Sequence, residues 1–214
     1  MEKRINNFKF FLILFSLYIL SVFINNYFLG MDRLVYNDLI ESFTQDQVDA
    51  IIANQKKWEW LGFVIIPLII ITRSSLVAIC LSVGAFFYDL DKDLKFKLFL
   101  NITLQGEFVL VLVVYFKLFY FAFVKNDFVL RDVEEYYPLS YINFLDIGSL
   151  TPWLIYPLQT INLFEVVYFF VLVYGLHKLL KNKYWKSFEI VAVSYGTGLA
   201  IWLGLVMFLI LNIT

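Results

Sequence analysis

Residues 60–88 read WLGFVIIPLIIITRSSLVAICLSVGAFFY, and this run decides the fold class. It carries one charged side chain, Arg73, in a stretch longer than the ~20 residues needed to cross a bilayer core of ~30 Å. Four more runs of spanning length lie at about residues 10–29, 98–124, 158–176 and 188–211. We therefore predict an all-α integral membrane protein, a single transmembrane domain over residues 1–214 that forms a bundle of five helices. The outer loops of this bundle are residues 30–59 and 125–157.

The composition agrees with a membrane protein and excludes several classes of function. Hydrophobic residues make up 61% of the chain, against roughly 45–50% in a soluble domain. The net charge of -1 lacks the basic face that binding of nucleic acid requires. Cys80 is the only cysteine and His177 the only histidine, so cysteine metal clusters and His-rich zinc sites are absent from the sequence. With no catalytic or nucleotide-binding motif either, we predict a protein that is not an enzyme and uses no cofactor and no metal.

The first run is a retained helix in this interpretation. It is longer than the apolar region of a signal peptide, and the segment Asn25-Asn26-Tyr27-Phe28 lacks small residues for cleavage.

Lysines and arginines outside the five runs predict the orientation. One side of the predicted membrane has ten and the other has five. The ten are Lys3, Arg4, Lys9, Lys92, Lys95, Lys97, Lys178, Lys181, Lys183 and Lys186, and the five are Arg33, Lys56, Lys57, Lys125 and Arg131. Because positive charge concentrates on the cytoplasmic side, we predict a cytoplasmic N-terminus and an outer C-terminus in a bacterial cytoplasmic (inner) membrane.

Both outer loops carry signals of ordered structure. Thr44 and Gln47 have the spacing of a capping box, which predicts a helix whose apolar face packs on the bundle or lies on the membrane surface. Trp58 and Trp60 end this segment and are predicted in the interfacial aromatic belt. The second loop is rich in aromatics and prolines, which favours an ordered, partly re-entrant or interfacial segment. Its predicted interfacial residues are Tyr136, Tyr137 and Trp153.

Four ionisable residues lie inside the predicted spans, where charge is costly and raises a functional hypothesis: Arg73, Glu107, Lys117 and Glu165. Counting ~1.5 Å per residue, we predict that Arg73, Lys117 and Glu165 form a buried cluster in the outer half of the bundle. Glu107 is predicted nearer the cytoplasmic half. The cluster could be a set of ion pairs that hold helices in register, a proton or ion path, or a site for a partner helix or lipid headgroup.

The last run has small residues at every fourth position, namely Ala192, Gly196, Ala200 and Gly204. We call these four the small-residue stripe. Such stripes allow close helix packing. The packing partner is predicted within the chain, and a helix of another protein is the alternative.

Taken together, several segments resemble the bacterial branch of the Yip-type (Rab-interacting-protein-like) membrane family. The resemblance lies in Thr44-Gln45-Asp46-Gln47-Val48 through Gln55-Lys56-Lys57 before an apolar run containing Pro67, and in Pro157, Asn162-Leu163-Phe164-Glu165 and Gly175 before a basic loop. It implies five helices. Eukaryotic members are associated with membrane trafficking, and bacterial members are sometimes labelled permeases. Here the amphipathic segment follows the first span and is predicted on the outer side of the membrane. This placement argues against a role in binding a cytosolic GTPase.

Three functional hypotheses follow. The first is a non-enzymatic accessory or scaffold subunit of a bacterial membrane complex, with membrane lipids and another integral membrane protein as partners. The second is a small transporter or permease subunit with a polar path through the bundle. The third is a lipid-directed membrane enzyme with its site in the acidic outer loops. A transporter should bury a continuous polar cavity, an enzyme should gather convergent acids at one mouth, and a scaffold should show neither.

Overall fold

The computed structural model describes residues 6–88 and 94–213, and within these ranges it contains helices and no β-strand. Nine α-helices follow one another there: α1 Asn7–Ile24, α2 Met31–Ser42, α3 Gln45–Trp58, α4 Trp60–Phe87, α5 Phe96–Phe119, α6 Leu130–Glu135, α7 Pro152–Thr160, α8 Leu163–Leu180 and α9 Tyr184–Ile213. A π-helical turn extends α1 to Leu29, and another extends α5 to Val124. Lys3, Arg4, Lys92 and Thr214, on which part of the orientation prediction rests, lie outside the described residues.

Five of these helices are long and apolar enough to cross a membrane, which confirms the predicted number of candidate spans. They are α1 and α5 with their π-helical turns, α4, α8 and α9. The long apolar runs account for this, because a helix satisfies its own backbone hydrogen bonds and needs no water along its length.

The bundle is organised around α5, which packs against α1, α4 and α8, while α9 packs against α4, α7 and α8. Several close contacts depend on glycine. A Cβ atom on Gly106 would lie 2.6 Å from the Tyr168 ring, and one on Gly175 would lie 2.5 Å from Ile102. A Cβ atom on Gly198 would lie 2.6 Å from the Cys80 Sγ. The core therefore lies between α4, α5, α8 and α9, with little space between their backbones.

The two ends of the bundle differ. At one end α1, α5 and α9 begin and α8 ends; this end carries the basic loops and is called the basic end. There Asn7 accepts a hydrogen bond from Asn101 at 2.8 Å, and Gln105 donates to Asn101 at 2.6 Å. The opposite end carries α2, α3, α6 and α7 and is called the hairpin end.

The predicted capping box at the start of α3 is present. The Thr44 backbone N–H donates to the Gln47 side-chain oxygen at 3.1 Å, and the helix begins at Gln45. Val48 on its apolar face is fully buried, so this amphipathic helix packs against the rest of the chain.

The fourth predicted span begins at a different residue in the structure. Sequence placed its start at residue 158, but α7 ends at Thr160 and a new helix, α8, begins at Leu163. Asn162 causes the new start, because its extended backbone cannot continue a helix and its Oδ1 accepts the Glu165 backbone N–H at 2.8 Å. The chain therefore breaks between two helices that the hydropathy pattern does not separate.

The segment between α6 and α7 folds back against this break. Ser140 and Asn162 form an antiparallel bridge, the Tyr141 N–H donates to the Ile161 carbonyl at 2.9 Å, and the Leu163 N–H donates to the Leu139 carbonyl at 3.1 Å. The Ser140 hydroxyl also lies within hydrogen-bonding distance of three carbonyls of the α7–α8 connection. The second outer loop is thus ordered and held at the level where α8 begins.

Candidate functional site

Four polar residues on different helices lie at nearly the same level of the bundle. At ~1.5 Å per residue, Arg73, Glu107, Glu165 and Tyr195 stand roughly 17–22 Å from the basic ends of their helices. A bilayer core is ~30 Å thick, so a membrane around these helices places all four near its middle. We call these four residues, together with Tyr168, the polar centre.

Arg73 of α4 and Glu107 of α5 form the strongest contact of the centre. The Arg73 Nε donates to Glu107 Oε1 at 3.0 Å, and its Nη2 forms a salt bridge with Oε2. The same Nη2 lies 3.4 Å from the Tyr18 hydroxyl of α1. Such two-point contact between a guanidinium and a carboxylate is stronger and more directional than a single hydrogen bond. This contact links α4 and α5 directly.

The two members of the pair differ in exposure. The Glu107 side chain is 0% exposed, whereas the Arg73 side chain is 40% exposed. Arg73 is therefore the exposed member of this pair, at the outer side of the polar centre.

Glu165 supplies a second carboxyl group to the centre. The Tyr195 hydroxyl of α9 donates a hydrogen bond to Glu165 Oε1. In the part of the chain that the structure describes, Glu165 forms no salt bridge, although it lies within electrostatic range of Arg73 and Glu107. It stands in the first turn of α8, where the partial positive charge of the helix N-terminus favours a carboxylate.

Tyrosines surround the two carboxyl groups. Tyr168 of α8 is 1% exposed, and its ring packs 5.6 Å from the Tyr195 ring. Its hydroxyl has no hydrogen-bond partner among the described residues and lies within electrostatic range of Glu107 and Glu165. Tyr137, in the segment before α7, lies within electrostatic range of Arg73 and Glu165. The centre thus combines three charged groups with phenols and contains a buried polar atom that is left unsatisfied.

The structure brings together a different set of charges from the one predicted. Arg73 pairs with Glu107, not with Glu165, and Glu107 lies in the cluster instead of nearer the basic end. Lys117 is not in the polar centre: it stands in the last turn of α5, and its electrostatic partner is Glu134. The reason is that α8 is shorter than α5: counted from the basic end at ~1.5 Å per residue, Glu165 stands at roughly 22 Å and Lys117 at roughly 32 Å.

The small-residue stripe does not pack within the chain, so that prediction is wrong. Ala192, Ala200 and Gly204 are exposed, and a Cβ atom on Gly196 or Gly204 would meet nothing within 4 Å. The face of α9 that packs against α4 instead carries Ser194 and Gly198, which approach Gly84 and Cys80. Helix α9 thus carries two sets of small residues, and the four-residue spacing identified the set that faces outward instead of the set that packs against α4.

The predicted interfacial aromatics divide into three groups. Trp58 and Trp60 are exposed, which fits a belt position. Tyr136 stacks on Tyr120 with ring centroids 4.1 Å apart, and Trp153 is half-buried. Tyr137 differs from them, since it turns toward the polar centre.

Two cavities lie at the hairpin end. One of about 400 Å³ is lined by residues of the α5–α7 region, and its acids are engaged: Asp132 pairs with Lys125 at 2.7 Å and Glu135 with Arg131 at 2.6 Å. The other, of about 630 Å³, lies between α1, α2 and α3 and is lined by acids and bases together. This second cavity brings together Asp32, Asp49 and Glu59, and none of these three acids forms a salt bridge within the described residues. The enzyme hypothesis stays a prediction.

The fold and the polar centre define a class: a helical protein with five candidate membrane spans and paired charges halfway along them. No family model matches the chain, and neither a curated protein nor a solved structure is significantly similar to it.

Proposed function

We propose that the protein is a small transporter, or the permease subunit of one, whose ion- or solute-binding site is the polar centre. The observation that carries this proposal is Glu165, a carboxyl group in the first turn of α8 that is level with the middle of α4, α5 and α9 and has no cation paired to it among the described residues. An ionisable group at this depth is costly and by default suggests function. Broken helices that end at such a site are a recurring feature of transporters, and the break before α8 has that form.

The experiment that tests this proposal is flux into proteoliposomes that contain the purified full chain. Proton entry is followed with a pH-sensitive dye, sodium entry with the radioactive ion, and uptake from a mixture of amino acids and sugars by mass spectrometry. We expect flux of at least one probe that is abolished in Glu165→Gln and kept in the matched surface control Glu135→Gln. Absence of flux for every probe, or equal flux in both variants, contradicts the proposal.

A second candidate function is the accessory or scaffold subunit, and the outward face of α9 favours it. A helix with open space over Gly196 and Gly204 can approach the helix of another membrane protein closely. Gly196→Leu should then lose co-purifying proteins while the thermal stability of the purified chain is unchanged. Gly198→Leu is the control, because its side chain would collide with Cys80 and lower stability directly. If Gly196→Leu keeps every co-purifying protein, this face contacts lipid only.

The setting of this function is also part of the proposal. A bacterial cytoplasmic membrane, with the basic end facing the cytoplasm, is supported by the ten-to-five distribution of lysines and arginines. Membership of the Yip-type family stays a prediction from the sequence.

A further inference from the structure

The polar centre has one negative charge more than it has positive charges. Arg73 and Glu107 neutralise each other through their salt bridge, which leaves the Glu165 carboxylate unbalanced. The N-terminus of α8 offsets it only in part, since a helix end carries about half an elementary charge. The Tyr195 hydroxyl stabilises the carboxylate but adds no charge. An isolated charge in a low-dielectric interior attracts a counter-charge or takes up a proton.

The groups that face Glu165 come from every element around it. They are Arg73 of α4, Glu107 of α5, Tyr168 of α8 itself, Tyr195 of α9 and Tyr137 of the segment before α7. Only Arg73 among them is a cation, and its guanidinium is already held by Glu107. The surroundings therefore supply oxygen atoms in excess and no free positive charge.

Tyr168 gives independent evidence for a missing ligand. Its side chain is buried to 1% exposure, and its hydroxyl lacks any hydrogen-bond partner in the described chain. Buried hydroxyls are nearly always satisfied, so an orphaned one indicates a group that the protein alone does not provide. The Tyr168 ring packs directly over Gly106, where a Cβ atom would lie 2.6 Å from it, and its hydroxyl lies within electrostatic range of both carboxyl groups.

We propose that the polar centre binds one exchangeable monovalent cation, a proton or a sodium ion, at Glu165, with the Tyr168 hydroxyl as a further oxygen ligand. Carboxylate and hydroxyl oxygens are ligands for hard cations and acceptors for protons. The route of entry in this proposal is along Arg73, whose side chain is 40% exposed. This inference rests on the proposed function, because it names the ion that a transporter would move or couple to.

The sodium arm of the test measures binding at equilibrium, without flux. The full chain in nanodiscs of uncharged lipid is unfolded thermally while sodium chloride replaces N-methylglucamine chloride at constant ionic strength and alkaline pH. If sodium is the ligand, the unfolding midpoint rises with the logarithm of its concentration, as mass action requires. The rise is lost in Glu165→Gln and unchanged in Glu135→Gln.

The proton arm uses infrared difference spectra between acidic and alkaline buffer. If a proton is the ligand, the band of a protonated carboxyl group is lost in Glu165→Gln and kept in Glu135→Gln. Tyr168→Phe keeps the ring and removes only the unpartnered hydroxyl, so the fold is retained. It should weaken the apparent affinity for the ion about tenfold, the effect of losing one hydrogen-bond-strength contact.

Each outcome decides a point. A positive sodium or proton arm supports the inference and identifies the ion. If neither sodium nor a Glu165-dependent carboxyl band is found, the inference is overturned, and wild-type affinity in Tyr168→Phe overturns the role of its hydroxyl. Ion binding without flux would refute the transport function and support the binding site. Flux without ion binding would support the transport function and refute the binding site.

Discussion

Breaking the Arg73–Glu107 pair should destabilise the protein far more than breaking an exposed pair. Removing one partner of a buried ion pair commonly costs about 3–5 kcal/mol, because the other charge is left unpaired in a medium of low dielectric. Arg73→Met leaves the Glu107 carboxylate, which is 0% exposed, and should cost about that much. Glu107→Gln leaves Arg73, which is 40% exposed and open to solvation, so we expect a smaller loss of about 2–3 kcal/mol.

The double variant separates pairing from the other effects of each substitution. Because Arg73→Met with Glu107→Gln leaves no unpaired charge, its loss of stability should be smaller than the sum of the single losses, with a coupling energy of about 1–3 kcal/mol. The control is the Arg131–Glu135 pair, which lies four residues apart on the exposed face of α6 at 2.6 Å. There the same cycle should give only about 0.3–0.5 kcal/mol.

The assay is reversible unfolding of the purified protein in detergent micelles, followed by circular dichroism. A coupling energy for Arg73 and Glu107 no larger than that of Arg131 and Glu135 would refute the reasoning. A cycle between Arg73→Met and Glu165→Gln should give a weaker coupling than the Arg73–Glu107 cycle, since these two side chains are not in direct contact. Lys117→Met should show no coupling with Glu165→Gln, because Lys117 lies toward the hairpin end.

Four further predictions follow. Gly106→Ala should displace the Tyr168 ring and destabilise the protein by about 1–3 kcal/mol, measured by thermal unfolding; an unchanged midpoint would contradict the close contact. Ser140→Ala should cost about 1–3 kcal/mol, since buried carbonyls at the α7–α8 break lose a donor, and it should raise protease cleavage near residue 140. Hydrogen bonds from Lys125 and from the Val129 N–H hold the pKa of Asp132 below its usual value of about 3.9. The stability that the Asp132 carboxylate contributes is therefore present above that pH and is lost as the pH falls through the lower pKa of the folded state. Asp132→Asn should remove this part of the acid sensitivity. A topology reporter fused after residue 214 should report the outer side, and a cytoplasmic signal would contradict the predicted orientation.

Hydropathy predicted the spans because it depends on single residues and not on contacts. The bounds of α4, and of α5 together with its π-helical turn, lie within two residues of the predicted ones. The start of α8 was missed, since Leu158-Gln159-Thr160-Ile161 carries no charge and no proline or glycine, and only the cap at Asn162 marks the break. The Asn162-Leu163-Phe164-Glu165 sequence contained that signal: an asparagine three residues before a glutamate is an N-cap pattern.

The error at α8 explains why the wrong charges were grouped. Depth was counted from the hairpin-end limit of each run as if these limits were level, but α8 begins well below the hairpin end of α5, and Glu165 was therefore grouped with Lys117. The stripe of α9 was assigned to the core for a related reason. Spacing shows that four small residues share a face but does not show which way the face points. Both features depend on the rotation and depth of whole helices, which the packing of the bundle decides.

The break before α8 also helps to distinguish a polar centre that only holds helices together from one that binds an ion. Irregular backbone at bilayer depth persists only where protein or water satisfies it, and here Leu139 and Tyr141 supply those hydrogen bonds. Leu139 does so in the left-handed region, with φ of 53°, which is unfavourable for a bulky side chain. A continuous helix would need neither the folded-back segment nor this strain, and the Arg73–Glu107 pair alone would still link α4 and α5. What the break adds is a helix N-terminus beside Glu165, and that addition is unnecessary for packing. The costly part of the local structure therefore places a helix N-terminus at Glu165, as the proposed ion-binding role of this residue requires.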